Sequence, residues 1–204
     1  FPAEAGALIA GYDTLGDERE STQRYRKYGR APLKEHGVRI GLHAKSIVID
    51  GRPLPELLDE DMIRDVVHGF YDAIRRDDLV GPIFDRAIAQ DAWPHHLAKM
   101  CDFWSATLLR TGRYEGRPLP PHLAIPGLGE AHFRRWLTLF RETVARLCPP
   151  EVARLFMDRA LRIAHSFRLA VAYSRGEDSL SIAPITEQSL LYPARREGAT
   201  PEET

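Results

Sequence analysis

An all-α fold is what this sequence predicts, and three observations carry the prediction. Four long stretches between Asp59 and Tyr173 repeat apolar residues at the three-to-four-residue period of an amphipathic helix. Prolines sit between those stretches or at their starts, where a residue without a backbone N–H and with fixed φ is tolerated. Strand-like patterning is confined to one short run, Ser46-Ile47-Val48-Ile49-Asp50. Helices with one apolar face each must bury those faces on one another, which gives a sandwich of helices crossing at steep angles.

Residues 1–55 read as a loosely folded N-terminal extension. Gly6, Gly11, Gly16, Gly29, Gly37 and Gly41 punctuate it, and Asp50-Gly51 is a turn signal. Its Arg24, Tyr25, Arg26, Lys27, Tyr28 and Arg30 form a solvated arm rather than a nucleic-acid surface, because no binding motif accompanies the charge. The helical unit is expected over 56–175. Asp59 or Glu60 caps a first helix whose apolar side is Ile63, Val66, Val67, Phe70 and Ile74, with Tyr71 at its edge, and Gly81-Pro82 closes the turn that follows. Arg75-Arg76-Asp77-Asp78 reads as a solvated helix end.

A second helix runs from Trp93 to Leu109. At about 100° per residue, Trp93, His96, Leu97, Met100, Phe103, Trp104, Thr107 and Leu108 share one side, while His95, Lys99 and Asp102 point away. Next comes a proline-punctuated stretch, Tyr114 to Pro126. Pro120 and Pro121 start a helix at or just after themselves and Pro126 stops it, so His122 is held on a short, stiff hook. Glu130 to Leu147 turns Phe133, Trp136, Leu137, Phe140 and Val144 to one face, and a buried indole N–H on Trp136 needs a partner. Glu151 to about Tyr173 buries Val152, Leu155, Phe156, Ile163, Ala164 and Phe167, with Arg154, Arg159, Arg162 and Arg168 outside that stripe. Residues 176–204 read as a polar, disordered tail.

Composition narrows the chemistry. The 204 residues hold 28 Lys and Arg against 29 Asp and Glu, so the balance favours neither nucleic acid nor an anionic membrane surface. No apolar run reaches the roughly 18 residues of a spanning helix. Cys101 and Cys148 lie far apart in helical, apolar settings and read as free, buried thiols of a reducing compartment. Phe1 to Gly6 lacks the basic and apolar regions of a signal peptide, which makes the expected location cytoplasmic. His95, His96, His122 and His132 lack the spacings of a directly bound zinc or non-haem iron. No phosphate loop is present, and Gly127-x-Gly129 follows no strand.

Several spacings act together. Phe70-Tyr71, Asp78-Leu79-Val80-Gly81-Pro82-Ile83-Phe84, Trp93 with His96, Asp102-Phe103-Trp104, Tyr114-x-Gly116-x-Pro118, His122 and His132-Phe133-x-x-Trp136-Leu137-x-Leu139-Phe140, in this order, resemble the group III truncated haemoglobins across roughly residues 58 to 174. The resemblance implies a truncated globin-like helical sandwich binding haem b, an iron protoporphyrin IX. It makes His122 the proximal iron ligand and lines the distal side with Tyr71, His96 and Trp136. Phe84, Met100, Phe103, Leu123 and Phe133 are the implied cofactor contacts, with Phe84 packing on the porphyrin.

A five-coordinate iron with an open position then binds O2, NO, CO or peroxide, and an electron donor not identified by the sequence completes any turnover. NO-dioxygenase or peroxidase-like chemistry is one implied reading and a non-catalytic oxygen binder or sensor is the alternative. A helical module without haem that binds only partners is a third.

Overall fold

The computed structural model describes residues 57–191 together with 48–49 and 52–54. The sequence readings for the rest of 1–55 and for 192–204 lie outside the described residues. A two-residue ladder comes first: β1 (Val48–Ile49) and β2 (Arg52–Pro53) pair antiparallel, with Val48 opposite Pro53 and Ile49 opposite Arg52. The remaining described elements are helical. They are α1 (Glu60–Arg75), α2 (Gly81–Ala87), a 3-10 turn (Gln90–Ala92), α3 (Trp93–Leu108), α4 (Leu119–Leu123), α5 (Glu130–Leu147), α6 (Pro150–Ser174) and α7 (Glu187–Leu191).

Helix α1 packs on α3 and α5, α5 packs on α6, and α4 lies on α6. The Asp59 carboxylate starts α1 by accepting the Met62 N–H at 2.8 Å, which satisfies a donor the helix cannot. Its expected stripe of Ile63, Val66, Val67, Phe70 and Ile74 is fully buried. Burial of each such side chain stabilises by about 1.5–3 kcal/mol, far more than helix propensity supplies. Three rings then run through the centre: Trp104 stacks on Phe140 at 5.0 Å between centroids, and Phe140 on Trp136 at 5.4 Å. Among the described residues, no helix is long and apolar enough to cross a membrane.

Several local expectations change. Gly81 and Pro82 open α2 instead of merely closing a turn, and a Cβ on Gly81 would lie 3.0 Å from the Ile74 carbonyl oxygen, so glycine permits this close approach. Asp77 is not part of a solvated helix end. Its carboxylate is nearly buried, accepting from the N–H groups of Leu79 and Val80 at 3.0 Å each and from Arg135 at 2.6 Å. Arg168 is buried as well, because its guanidinium donates to the Ala183 carbonyl and to Glu130, both at 2.8 Å. Cys101 and Cys148 are free thiols, half-buried rather than buried.

Packing also runs past both ends of 56–175. Leu54 belongs to the core, and beyond Gly176 the chain returns to bury Ile185 and form α7. Arg134 holds that return by donating to the Ser189 carbonyl at 3.3 Å.

Candidate functional site

His122 sits on the five-residue helix α4, with prolines in its first turn. Its Nδ1 lies 2.6 Å from the Pro118 carbonyl oxygen one turn back. A carbonyl only accepts, so the proton is on Nδ1 and the lone pair is on Nε2. Burial pushes the imidazole pKa down, partly opposed by that hydrogen bond, and keeps the ring neutral. Phe167 of α6 lies against it, with ring centroids 4.6 Å apart. The result is an oriented, neutral, lone-pair-bearing nitrogen of the kind that ligates a metal, with its second nitrogen already engaged.

The stretch leading to α4 is tied down by a polar cluster. Ser105, fully buried on α3, donates to Glu60 of α1 at 2.8 Å and shares a hydrogen bond with Thr111 at 2.9 Å. Arg113 donates to Ser105 at 2.7 Å, bonds the second oxygen of Glu60, and pairs with Asp102 at 3.4 Å. From this anchor the chain passes Tyr114, whose ring packs edge-on against Phe103 at 5.1 Å and lies over Gly116. A Cβ on Gly116 would be 2.5 Å from the Tyr114 hydroxyl. Pro118, the acceptor for His122, comes two residues later.

A second cluster forms where α1, α2 and α3 meet. The Tyr71 ring makes edge contacts with His96 at 5.0 Å, Phe84 at 5.8 Å and Trp93 at 6.0 Å. Burial, with smaller contributions from Tyr114 and Cys101, raises the Tyr71 pKa far above the ordinary tyrosine value, so the phenol remains a donor. Trp136 of α5 joins through Phe70, which it meets at 5.2 Å and which also touches Tyr71 at 5.2 Å. Trp93 is buried with an indole N–H that has no protein partner among the described residues, and the Arg75 guanidinium covers its ring at 4.8 Å.

The other expected contacts divide by exposure. Phe133 is buried, whereas Phe84, Met100 and Phe103 are half-buried at the rim of the core and Leu123 is 39% exposed. His95 is exposed, and the His132 Nδ1 accepts the Gly129 N–H at 3.2 Å to cap α5. Among the described residues no three His, Cys, Asp or Glu side chains form a metal-holding group. The half-buried apolar rim and the orphaned Trp93 N–H fit a flat, largely apolar macrocycle carrying a small polar ligand.

Comparison with known proteins decides the family. No family model matches the chain. Over 115 residues it is 35% identical to the group 3 truncated hemoglobin of Campylobacter jejuni, spanning 55% of this chain and 91% of that protein. The chain belongs to the group III truncated haemoglobins. The crystal structure of group III truncated hemoglobin from Campylobacter jejuni is also similar, with a TM-score of 0.54 at 34% identity, covering 57% of this chain and 93% of that chain. Just over half of this truncated haemoglobin thus corresponds to nearly the whole relative, and the rest of the chain is additional.

Sequence reading missed the polar residues that tie down the stretch leading to the histidine hook: Glu60, Ser105, Thr111 and Arg113. The one available signal was Ser105, which falls beside Trp104 on a largely apolar helix side, where a buried hydroxyl requires a partner.

Proposed function

We propose that this truncated haemoglobin binds haem b through His122 Nε2 and holds a small ligand (O2, NO, CO or peroxide) among Tyr71, His96 and Trp136. The observation that carries the reading is the bond from His122 Nδ1–H to the Pro118 oxygen, because it fixes the tautomer, leaves Nε2 to ligate and makes that nitrogen more basic. When bound, the haem supplies an iron with one open position and the redox chemistry that goes with it.

The chain's own residues supply the rest. Pro118 and Phe167 orient the imidazole, and Phe84, Met100, Phe103, Leu123 and Phe133 give the apolar surface for the macrocycle. The Tyr71 O–H and Trp136 N–H are donors that stabilise negative charge on a small ligand; burial of Tyr71 removes competing water from its bond, whereas Trp136 is half-buried. His96, in edge contact with both Tyr71 and Trp93, controls access to that cluster from α3. Two donors at one site favour retention of O2 and turnover with NO or peroxide over delivery, with an external electron donor restoring the iron. The free thiols fit a reducing, cytoplasmic setting.

Absorption spectra of the purified chain test the reading. The expected result is a Soret band that His122→Ala loses and that added imidazole restores. Full haem retention by His122→Ala without imidazole would overturn it. Product formation with NO or peroxide and a matched reductase then separates turnover from simple binding.

A further inference from the structure

Helix α4 is five residues long, too short to hold itself, and the loop after it leaves backbone carbonyls in need of donors. Two of them find the same side chain. Arg175, the residue capping the C-terminus of α6, donates from one guanidinium nitrogen to the Leu128 carbonyl at 2.8 Å and from the other to the Ile125 carbonyl at 3.4 Å. Gly127 lies between these acceptors with φ of 72°, a left-handed conformation that strains residues with a side chain. The Ile125 N–H in turn donates to the His122 carbonyl at 3.3 Å. An unbroken line of hydrogen bonds therefore runs from Arg175 to the backbone of His122, and the same helix presses Phe167 against the His122 ring.

We infer that Arg175 is a positioning residue for His122, setting the pitch of α4 and hence the direction of the imidazole toward its metal. The inference rests on the reading that His122 is the haem ligand. A guanidinium fork suits the role because two of its N–H groups reach separate carbonyls at a fixed angle, which the single ammonium of lysine cannot do. Arg113 fixes the chain ahead of Pro118, and Arg175 fixes it behind Ile125, so the histidine lies between two cationic anchors.

The test compares wild type, Arg175→Ala and Arg175→Lys with Arg162→Ala, which removes an exposed arginine paired with Asp158 on the same helix. Three quantities are read: the iron–histidine stretching frequency of the ferrous protein, the rate of haem transfer to an apo-myoglobin acceptor, and amide exchange over residues 124–129 with and without haem. The expected result for Arg175→Ala is a shifted stretch, faster local exchange and haem transfer accelerated roughly three- to tenfold, the size suited to partly exposed hydrogen bonds. Arg175→Lys should fall between, and Arg162→Ala should match wild type. If Arg175→Ala fails to fold, Arg175→Lys and Arg175→Gln carry the comparison. Arg175 variants that match wild type in all three readouts, or changes shared equally by Arg162→Ala, overturn the inference alone. A wild type that takes up no haem overturns the underlying reading and this inference with it, and is recognised before any variant is compared.

Discussion

Replacing Tyr71 with Phe removes one hydroxyl and keeps the ring, which makes it the cleanest probe of the proposed distal cluster. Edge contacts to His96, Phe70, Phe84 and Trp93, at 5.0, 5.2, 5.8 and 6.0 Å, are properties of the ring and survive the change. What is lost is a donor that remains protonated across the physiological range. A hydrogen bond to a group bearing charge is worth about 1.5–3 kcal/mol, and about 1.4 kcal/mol is tenfold, so O2 release should accelerate by roughly ten- to a hundredfold. Trp136→Phe should act in the same direction but less, about three- to tenfold, because Trp136 is only half-buried and water competes for its ligand. Both residues touch Phe70, so their effects should not simply add. The assay is stopped-flow displacement of O2 and, separately, of CO, which gains little charge on binding and should change far less. Equal acceleration of both gases would mean that the residues act through packing. Unchanged O2 release would refute the hydrogen-bond argument and return the protein to a carrier or sensor.

Asp77→Asn should destabilise the protein by about 1–3 kcal/mol at neutral pH, since a nearly buried acceptor loses its charge-assisted bond to Arg135. Burial alone would raise the Asp77 pKa, but the bonds from Val80, Arg135 and Leu79 outweigh it and hold the carboxyl below its usual range. This contribution is present above pH ~4 and lost as pH falls through the lowered value, so denaturant midpoints of wild type and variant should converge in acid. A chain ending at Gly176 should lose roughly 1–3 kcal/mol of stability, because Ile185 burial and the Arg168 bond to Ala183 disappear while the ordering cost of the return is saved. Unaltered thermal unfolding of that truncated chain would show that the return adds nothing to the globin core.

The helices were legible because burial leaves a periodic record. Ile63, Val66, Val67, Phe70 and Ile74 repeat at helical spacing and are all buried, and the prolines around His122 announce a short, separate helix. The tautomer of His122 was also within reach, since a carbonyl one turn back is the nearest acceptor for its ring. The buried ionic contacts left no such record. Arg168 reads as surface because arginine is rarely buried, and its partners at Glu130 and Ala183 lie 38 and 15 positions away. Asp77 sits among four charged residues, and only the fold shows that one of them turns inward. Tertiary hydrogen bonds have no period, so those of Arg113 and Arg175 become visible only when the chain is folded.

The two arginine anchors divide the loops around the histidine into segments with different tolerance for a change of length. Ahead of Arg113 the hold is lighter: Thr111 bonds Ser105, while Arg110 and Gly112 on either side of it are exposed turn residues at φ of 58° and 69°. An inserted residue there lengthens a turn and leaves the register of Pro118 with His122 intact. Between Arg113 and Leu128 no slack remains, because Tyr114 lies over Gly116, Pro118 accepts from the imidazole and Arg175 grips both Ile125 and Leu128. An insertion in this span turns the histidine away from its bearing even when it falls several residues from it. For swapping this hook into another globin, the transferable unit is therefore the whole span from Arg113 to Leu128, taken with the α6 arginine that closes it.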